Sequence, residues 1–358
     1  MFATVLIENC MPWSIDDLSP QDDLNQPRRM SKRRLWTFRL IALGIPAIIG
    51  AIVVWNRVPP QLLDPDAPIY FNSPDHEESG MRSMFHPVYG WVNVSNQEGM
   101  TYGSPVRINS RGFRDRDYTV EKPTDVKRIL VLGDSYAWGY GVAIDDIFTE
   151  ILEAELEKTQ QKWEVINTGV CGWGTDQEYL FLTREGFKYK PDIVVLTFFL
   201  GNDPINNASA HEYGLHKPVF VDDNMTLENV PVPKPSDHVG PLIVQTIPVH
   251  ISAVIIDSMH QKCEQAGAKL VIMKFGAFLD DKWKPHDGPL LEEFSRFPNW
   301  NLLDLDREFE KLKISRTSVL EGNYRHHWNA YGHRRVAESL HGFLLEKRWV
   351  EPAVAESR

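Results

Sequence analysis

The segment from Asp192 to Leu200, with the sequence DIVVLTFFL, is the feature that most constrains how this chain can fold. After the aspartate its residues are almost continuously apolar, so neither face of the segment is suited to water. Strands that are buried on both faces have this composition, and they occur in parallel sheets with helices packed on each side. We therefore expect Asp192–Leu200 to be an interior strand of a parallel sheet.

Apolar runs and amphipathic segments alternate along the chain around this strand. Such alternation is typical of a doubly wound parallel α/β domain with right-handed crossovers. The helix predicted over Asp145–Lys158 is expected to be capped by Asp145 or Asp146. The other predicted elements are strands at Arg128–Leu132, Trp163–Asn167, Lys269–Phe275 and Leu302–Asp304, and helices at Gln177–Phe187, Ile247–Cys263, Leu290–Phe297 and a last one that ends near Leu345.

Two stretches lack this alternation. Residues 58–125 combine a proline-rich linker with short possible strands around Tyr89–Val94 and Val106–Asn109. The sequence NSRGFR, which ends at Arg114, is typical of a turn whose charges are solvated. Residues 204–241 are rich in Pro, Asn and Asp and have neither a helical nor a strand period, so we expect an insertion over the strand ends.

The N-terminal part of the chain has the pattern of a membrane anchor. Leu40–Trp55 contains no charged residue, and Leu35–Val58 is long enough to cross a bilayer. Arginines and lysines between residues 28 and 34 precede it, which indicates a cytoplasmic N-terminus and an extracytoplasmic domain. The alternatives are a buried core helix, which is rarely apolar all round over this length, and a cleaved signal peptide, for which no clear cleavage site follows the run.

The expected organisation follows from these patterns. It is a cytoplasmic tail over residues 1–34, a single-pass transmembrane helix over 35–57, a linker with lead-in strands over 58–125, and the α/β domain over 126–349.

Composition narrows the classes of function. Among 358 residues, 42% are hydrophobic and 24% are charged, which is the balance of a globular protein with a sizeable core. The formal net charge of -11 argues against a nucleic-acid partner. Cys10, Cys171 and Cys263 are too few and too scattered for a disulfide framework or a metal site. A dinucleotide cofactor is not indicated, because GDSYAWGYG lacks the spacing Gly-x-Gly-x-x-Gly.

Chemically useful residues follow the first three strands predicted for the sheet. Ser135 ends the tripeptide Gly-Asp-Ser after the first, Gly169 follows the second, and Asn202 lies in Gly-Asn-Asp after the third. Because parallel strands have their carboxyl ends at one edge of the sheet, these residues should meet there. Ser135 can attack an ester carbonyl, and the amides of Ser135, Gly169 and Asn202 could hold the oxyanion, each worth roughly 3 kcal/mol. On the tripeptide alone, a strand end that merely caps a helix is the simpler alternative.

A general base must come from elsewhere in the chain. The segment YRHHWNAYGH, from Tyr324 to His333, precedes the last predicted helix and contains His326 and His327. Either histidine could reach the edge of the sheet and accept the serine proton. The alternative is that both are exposed residues of a loop. A metal site is not favoured, since no carboxylate or cysteine lies at ligand spacing.

In this order, the segments resemble those of the SGNH, or GDSL-like, hydrolase family. The resemblance covers about residues 127–349 and favours His327 over His326, because Asn329 and Gly332 follow His327 as in the family's histidine motif. It implies a flavodoxin-like, three-layer fold and an extracytoplasmic serine esterase or acylhydrolase that needs no cofactor and acts on a small-molecule, glycan or lipid ester. The residues that it implies are Ser135 as nucleophile, His327 as general base, and Ser135, Gly169 and Asn202 as the oxyanion hole.

One position departs from the family pattern. The family has an aspartate three residues before the catalytic histidine, and here Tyr324 stands at that position. An orienting acid can be worth on the order of 10⁴ in kcat. The candidates to substitute for it are Glu321, Asp304 and a backbone carbonyl, and the alternative is a weakened enzyme. Three functions stay open: ester hydrolysis, O-acetyl transfer or deacetylation on a cell-envelope glycan, and a non-catalytic envelope-binding protein with a degenerate triad.

Overall fold

The computed structural model describes residues 68–72, 81–237, 247–320, 322 and 327–353, together with Arg33. The residues described from Pro68 onward belong to one compact unit. The predicted transmembrane span, residues 35–57, lies outside the described residues, as do Glu321, Tyr324 and His326. Among the helices that are described, none has the length and apolar character that crossing a bilayer requires.

The helices and strands of the described residues alternate over most of the chain. The strands are β1 (Tyr70–Asn72), β2 (Arg82–His86), β3 (Gly90–Asn93), β4 (Glu98–Thr101), β5 (Ser104–Arg107), β6 (Val126–Leu132), β7 (Lys162–Asn167), β8 (Ile193–Phe199), β9 (His211–Glu212), β10 (Leu215–His216), β11 (Val219–Phe220), β12 (Leu227–Glu228), β13 (Lys269–Phe275) and β14 (Asn301–Asp304). The α-helices are α1 (Ser135–Trp138), α2 (Phe148–Leu156), α3 (Thr175–Arg184), α4 (Asp203–Asn207), α5 (Pro248–Gln265), α6 (Lys284–Phe294), α7 (Leu305–Lys311), α8 (Arg316–Leu320) and α9 (Ala330–Glu346).

A five-stranded parallel sheet forms the centre of the unit, in the order β14-β13-β8-β6-β7. Numbered along the chain, these strands have the order 2-1-3-4-5, which is the flavodoxin-like order of doubly wound folds. Strand β8 lies in the middle, with Ile193 beside Ile129 of β6 and Lys269 of β13, and all but its last residue are buried. The expectation of an interior strand that is buried on both faces is confirmed, with bounds of Ile193–Phe199.

Two hydrophobic cores cover the two faces of this sheet. Alternate residues of each strand point to opposite faces, so Leu130 and Val194 contribute to one core while Ile129 and Val195 contribute to the other. The first core includes side chains of α3, α5 and α6, and the second includes those of α2, α7 and α9. The expected three-layer architecture is therefore present.

The lead-in strands contribute to the same unit. Strands β1 to β3 form an antiparallel sheet, and β4 pairs with β5. The indole N–H of Trp91 donates to the carbonyl of Cys171 at 2.9 Å, and the ring of Tyr89 packs against that of Trp173. Residues before the first parallel strand thus complete the core beside α3.

The start of α2 differs from the expectation. Asp145 and Asp146 lie in a separate 3-10 turn, so neither caps the helix, which begins only at Phe148. The backbone N–H of Phe148, the first residue of α2, donates instead to Nδ1 of His333 at 3.3 Å. His333 lies in the first turn of α9. The start of α2 is therefore capped by the imidazole of a residue distant in sequence and not by a neighbouring carboxylate. Residues 204–241 also contain more regular structure than expected, since they include most of α4 and the pairs β9–β10 and β11–β12.

Candidate active site

The serine that ends the Gly-Asp-Ser tripeptide lies at the carboxyl end of β6. Ser135 is the first residue of α1, and the carboxylate of Asp134 caps that helix by accepting the N–H of Tyr136 at 2.9 Å. A side chain at Gly133 would overlap the Thr197 hydroxyl of β8, so only glycine allows this close turn. The turn places the serine hydroxyl above the edge of the sheet, as expected.

His327 reaches this serine from the far end of the chain. Its Nε2 lies 2.7 Å from Oγ of Ser135, although 192 positions separate the two residues. Both side chains are buried, and the Trp328 side chain that follows is packed fully in the core. Asn329 caps α9 by accepting the N–H of Gly332 at 2.9 Å, which sets the direction in which the chain enters the helix. The structure therefore brings together the two residues expected to be nucleophile and base.

Asn202 lies at the same site. One N–H of its side-chain amide donates to Asp134 Oδ2 at 2.9 Å, and the residue lines the same cavity as Ser135 and His327. A carboxamide carries two N–H groups, so one remains for a ligand. Asp203 beside it accepts the N–H of Phe199 at 2.7 Å and so braces the turn after β8, as Asp134 braces the turn after β6.

The structure corrects the role expected for Gly169. Its backbone N–H donates to Oδ1 of Asn167 at 3.0 Å, and Gly169 is not among the residues that line the cavity. A Cβ at this position would lie 2.6 Å from the backbone nitrogen of Trp138. Glycine is needed here because the loop after β7 packs directly against α1, and its amide is not an oxyanion donor in this structure.

The structure also corrects the expectation for Asp304. Its carboxylate lies 3.2 Å from Nζ of Lys274 and accepts the N–H of Arg307 at 3.3 Å, so that it caps α7. Asp304 ends the edge strand β14, and β13 and β8 separate it from β6. It therefore does not contact His327. The other expected acid, Glu321, lies outside the described residues and stays a prediction.

The cavity at Ser135 has a volume of about 190 Å³. Its inner wall is largely apolar, while Tyr213 and Lys282 form an exposed rim. Trp138 and Trp173, which lie nearby in the sequence, are buried and do not line it. Within the part of the chain that the structure describes, no three His, Cys, Asp or Glu side chains are grouped to hold a metal ion. The lining residues are Asp134, Ser135, Tyr136, Phe199, Asn202, Tyr213, Leu279, Asp280, Lys282, Trp283 and His327.

Buried acids lie behind the site, which no local sequence pattern indicated. Glu178 of α3 and Asp203 of α4 are buried, and both Glu178 oxygens lack a hydrogen-bond partner within the described residues. Burial, together with nearby carboxylates, raises the pKa of both groups well above the ordinary values. Asp176 is equally buried and forms an ion pair with Lys217. The acids at the back of the site thus hold less negative charge than their number implies.

Arg114 is a further residue whose environment differs from the one that the sequence pattern predicts. The NSRGFR motif was expected to be a turn with solvated charges, but Arg114 is only 1% exposed. Its guanidinium donates to backbone carbonyls at and after the end of α1, including that of Val142 at 2.6 Å. Arg114 is buried because α1 lies beside it, and a motif of six consecutive residues gives no information about the position of α1.

Comparison with known proteins adds solved structures of similar fold. No protein-family model matches the chain, and no curated protein matches it in sequence. A lipase/acylhydrolase from Enterococcus faecalis is 16% identical, with the match covering 64% of this chain and 100% of that one at a TM-score of 0.42. A lipolytic protein of the G-D-S-L family from Desulfitobacterium hafniense is 14% identical, with coverages of 61% and 99% and a TM-score of 0.42. An acetylxylan esterase from Geobacillus stearothermophilus is 16% identical, with coverages of 63% and 96% and a TM-score of 0.41. Similarity at this level identifies neither substrate nor activity, so the function has to be inferred from the site itself.

Proposed function

We propose that this protein hydrolyses esters of short acyl groups, with Ser135 as the nucleophile and His327 as the general base. The observation that carries the proposal is the 2.7 Å separation of Ser135 Oγ and His327 Nε2 at the wall of a cavity. A serine hydroxyl attacks a carbonyl only when a neighbouring base accepts its proton, and this distance is within the hydrogen-bond reach that proton transfer needs.

The proposed reaction has two stages. Oγ of Ser135 attacks the ester carbonyl while Nε2 of His327 takes the hydroxyl proton, and the imidazolium then returns that proton to the departing alcohol. A water molecule, deprotonated by His327, next attacks the acyl-serine, and release of the acid restores the hydroxyl. Each tetrahedral intermediate carries a negative oxygen that must be held by hydrogen-bond donors.

Two donors are available for that oxygen. The backbone N–H of Ser135 has no acceptor within the described residues, as is usual for the first turn of a helix. The second N–H of the Asn202 amide remains after the first has bonded to Asp134. Removal of one such donor typically lowers kcat by about 10²- to 10³-fold, so Asn202→Ala tests this assignment.

The cavity supports a small acyl group. Its volume of about 190 Å³ lies below the range of roughly 300–1,000 Å³ that holds drug-sized ligands. Phe199, Leu279 and Trp283 give it apolar walls suited to a short alkyl chain. The alcohol part of the ester would then lie toward Tyr213 and Lys282 at the solvent-exposed rim, where water can also enter.

The test is hydrolysis of p-nitrophenyl acetate, butyrate and octanoate by the full-length chain in detergent. We expect acetate or butyrate to be preferred, and Ser135→Ala or His327→Gln to lower kcat by about 10⁴-fold or more. Ser252→Ala is the matched control, because it removes a buried serine that does not line the cavity.

Labelling by a fluorophosphonate separates an enzyme from a binding protein. The wild type and Ser252→Ala should react and Ser135→Ala should not, because only an activated hydroxyl forms the covalent adduct. A wild-type chain that is neither labelled nor active on any of the three esters would contradict the proposed function. Acyl transfer would show instead as ester cleavage that accelerates when an acceptor glycan is added.

A further inference from the structure

The imidazole of His327 lies between two tyrosine rings. Its centroid is 4.6 Å from that of Tyr136, with 30° between the planes, and 4.5 Å from that of Tyr140, with 36° between the planes. At centroid distances this short, rings inclined by 30° and 36° lie over the faces of the imidazole rather than beside its edge, and one face has room for only one of them. The tyrosines therefore cover the two faces of His327, and both are buried.

The two tyrosines belong to the same turn as the nucleophile. Tyr136 directly follows Ser135, and the N–H of Tyr140 donates to the Ser135 carbonyl at 3.1 Å. Between them Gly139 has a φ of 82°, in the left-handed region that favours glycine, and its N–H donates to the same carbonyl. The attacking serine and both walls around the imidazole are thus parts of one short, closed turn.

Arg114 holds this turn from the core side. Its guanidinium donates to the carbonyls of Trp138 at 3.2 Å, of Gly139, and of Val142 at 2.6 Å, and its Cζ lies 4.5 Å from the centre of the Trp138 ring. Within the described residues the Arg114 guanidinium forms no ion pair with a carboxylate, and it is held by carbonyl oxygens and an aromatic face. The three carbonyls flank Tyr140, so the guanidinium determines where that ring lies.

We propose that Tyr136 and Tyr140 form an aromatic clamp that orients the imidazole of His327 toward Ser135, and that Arg114 is the positioning residue that keeps this clamp closed. The inference rests on the proposed roles of Ser135 and His327. The Tyr140 side chain does not line the substrate cavity, so it affects the reaction through its contact with His327 and not through contact with the substrate. Covering both ring faces restricts rotation of the imidazole and keeps its Nε2 edge toward the serine hydroxyl.

The first test compares two variants of Tyr140. Tyr140→Phe keeps the ring and should leave kcat within about threefold of the wild type. Tyr140→Leu removes the flat wall and should lower kcat by about 10- to 100-fold with KM nearly unchanged, because a misplacement of about 1 Å can cost 10²-fold in rate. Tyr189→Leu is the matched control. It removes a buried tyrosine ring that packs against Phe113, and Tyr189 does not line the cavity. A similar loss of kcat in Tyr189→Leu and Tyr140→Leu would overturn the clamp.

The second test concerns the arginine. Arg114→Met should lower kcat by about 10-fold or more at unchanged KM, and Arg114→Lys should recover part of that loss. Arg128→Met is the matched control, because Arg128 is also fully buried and donates to the carbonyls of Val120, Tyr189 and Thr119, but at the opposite end of β6. It should lower thermal stability and leave kcat of the folded protein unchanged. If Arg114→Met does not fold, Arg114→Lys decides: activity and KM equal to those of the wild type would remove Arg114 from the proposal.

A third measurement does not depend on turnover. In the full-length chain with isotope-labelled histidine, the Hε1 proton of His327 should be shifted upfield by the two rings, and His327→Gln assigns its signal. Tyr140→Leu should move the signal downfield, whereas Tyr140→Phe and Tyr189→Leu should not. A shifted signal in a chain that cleaves no ester would leave the clamp in place and refute the proposed function. A signal that Tyr140→Leu does not move would refute the clamp even in an active esterase.

Discussion

The pH dependence of stability should carry a large contribution from His333. This histidine is 1% exposed at the start of α9, where Nδ1 accepts the N–H of Phe148 at 3.3 Å and the ring stacks on that of Phe148. Burial, and then electrostatic repulsion from Arg114 and from the His327 side chain, lower the pKa of His333 to about 3. In the unfolded chain its pKa is about 6.5.

The sign follows from which state binds the proton. Between about pH 6.5 and pH 3 the unfolded chain is protonated at His333 and the folded chain is not, so acid favours unfolding. The stabilisation is complete above about pH 6.5 and is lost as the pH falls toward 3. Between pH 8 and pH 5 the loss is about RT ln(10^1.5), or roughly 2 kcal/mol, and the full difference between the two pKa values corresponds to about 5 kcal/mol.

The assay is urea unfolding at pH 8 and pH 5 for the wild type and for His333→Gln. Glutamine does not titrate, and its Oε1 can still accept the N–H of Phe148. The loss of unfolding free energy between the two pH values should be smaller in the variant by about 2 kcal/mol, because all other groups titrate in both proteins and cancel. The same measurements on a variant with the exposed His286 exchanged for glutamine serve as the control.

The quantity compared is the loss of unfolding free energy between pH 8 and pH 5. If this loss differs between the wild type and His333→Gln by less than about 0.5 kcal/mol, the reasoning is refuted. Such a result would mean that the folded chain binds the proton at His333 almost as readily as the unfolded chain does. The packing of α9 against α2 would then be open to water, contrary to the buried hydrogen bond to Phe148.

Three further substitutions test the interior. Glu178→Gln should raise the free energy of unfolding at pH 8 and less so at pH 5, since the folded chain keeps a proton on this buried acid that the unfolded chain releases above about pH 4.5; lower stability at pH 8 would contradict this. Lys217→Met should lower the free energy of unfolding by about 3–5 kcal/mol, because Asp176 loses its buried ion pair. Adding Asp176→Asn to this variant should restore part of the lost stability. If it restores none, the unpaired charge of Asp176 is not the cause of the loss. Gly169→Ala should lower both the unfolding midpoint and kcat, because its Cβ would lie 2.6 Å from the backbone of α1, whereas Gly342→Ala, with open space around it in α9, should be neutral or stabilise by up to about 1 kcal/mol; equal effects would refute the packing role.

The sheet was the most predictable part of the molecule. Strand β13 has the predicted bounds, Lys269–Phe275, and the predicted strand Arg128–Leu132 differs from β6 by two residues at one end only. Buried strands are dense in apolar residues, so their signal is local. Helices α7 and α8 were missed because they are only 7 and 5 residues long, too short to show a helical period.

The candidate site was predictable only in part. The sequence placed Ser135, Asn202 and His327 at one edge of the sheet, because the direction of parallel strands follows from their alternation with helices. It assigned Gly169 to the oxyanion hole, where the structure shows an amide already bonded to Asn167. It also predicted Asp304 as an orienting acid. In the structure the Asp304 carboxylate contacts Lys274 and caps the N-terminus of α7 instead.

By itself, the order of apolar runs, turns and polar residues determined the doubly wound sheet and the few side chains able to carry out ester chemistry. Only the tertiary structure decided which atoms meet: the 2.7 Å contact of Ser135 with His327, the tyrosine rings on both faces of that imidazole, and the burial of Arg114 beneath them. The reason is the separation along the chain of the residues that each property involves. Periodicity depends on near neighbours in the chain, whereas the choice of a partner within about 3 Å depends on how distant elements pack.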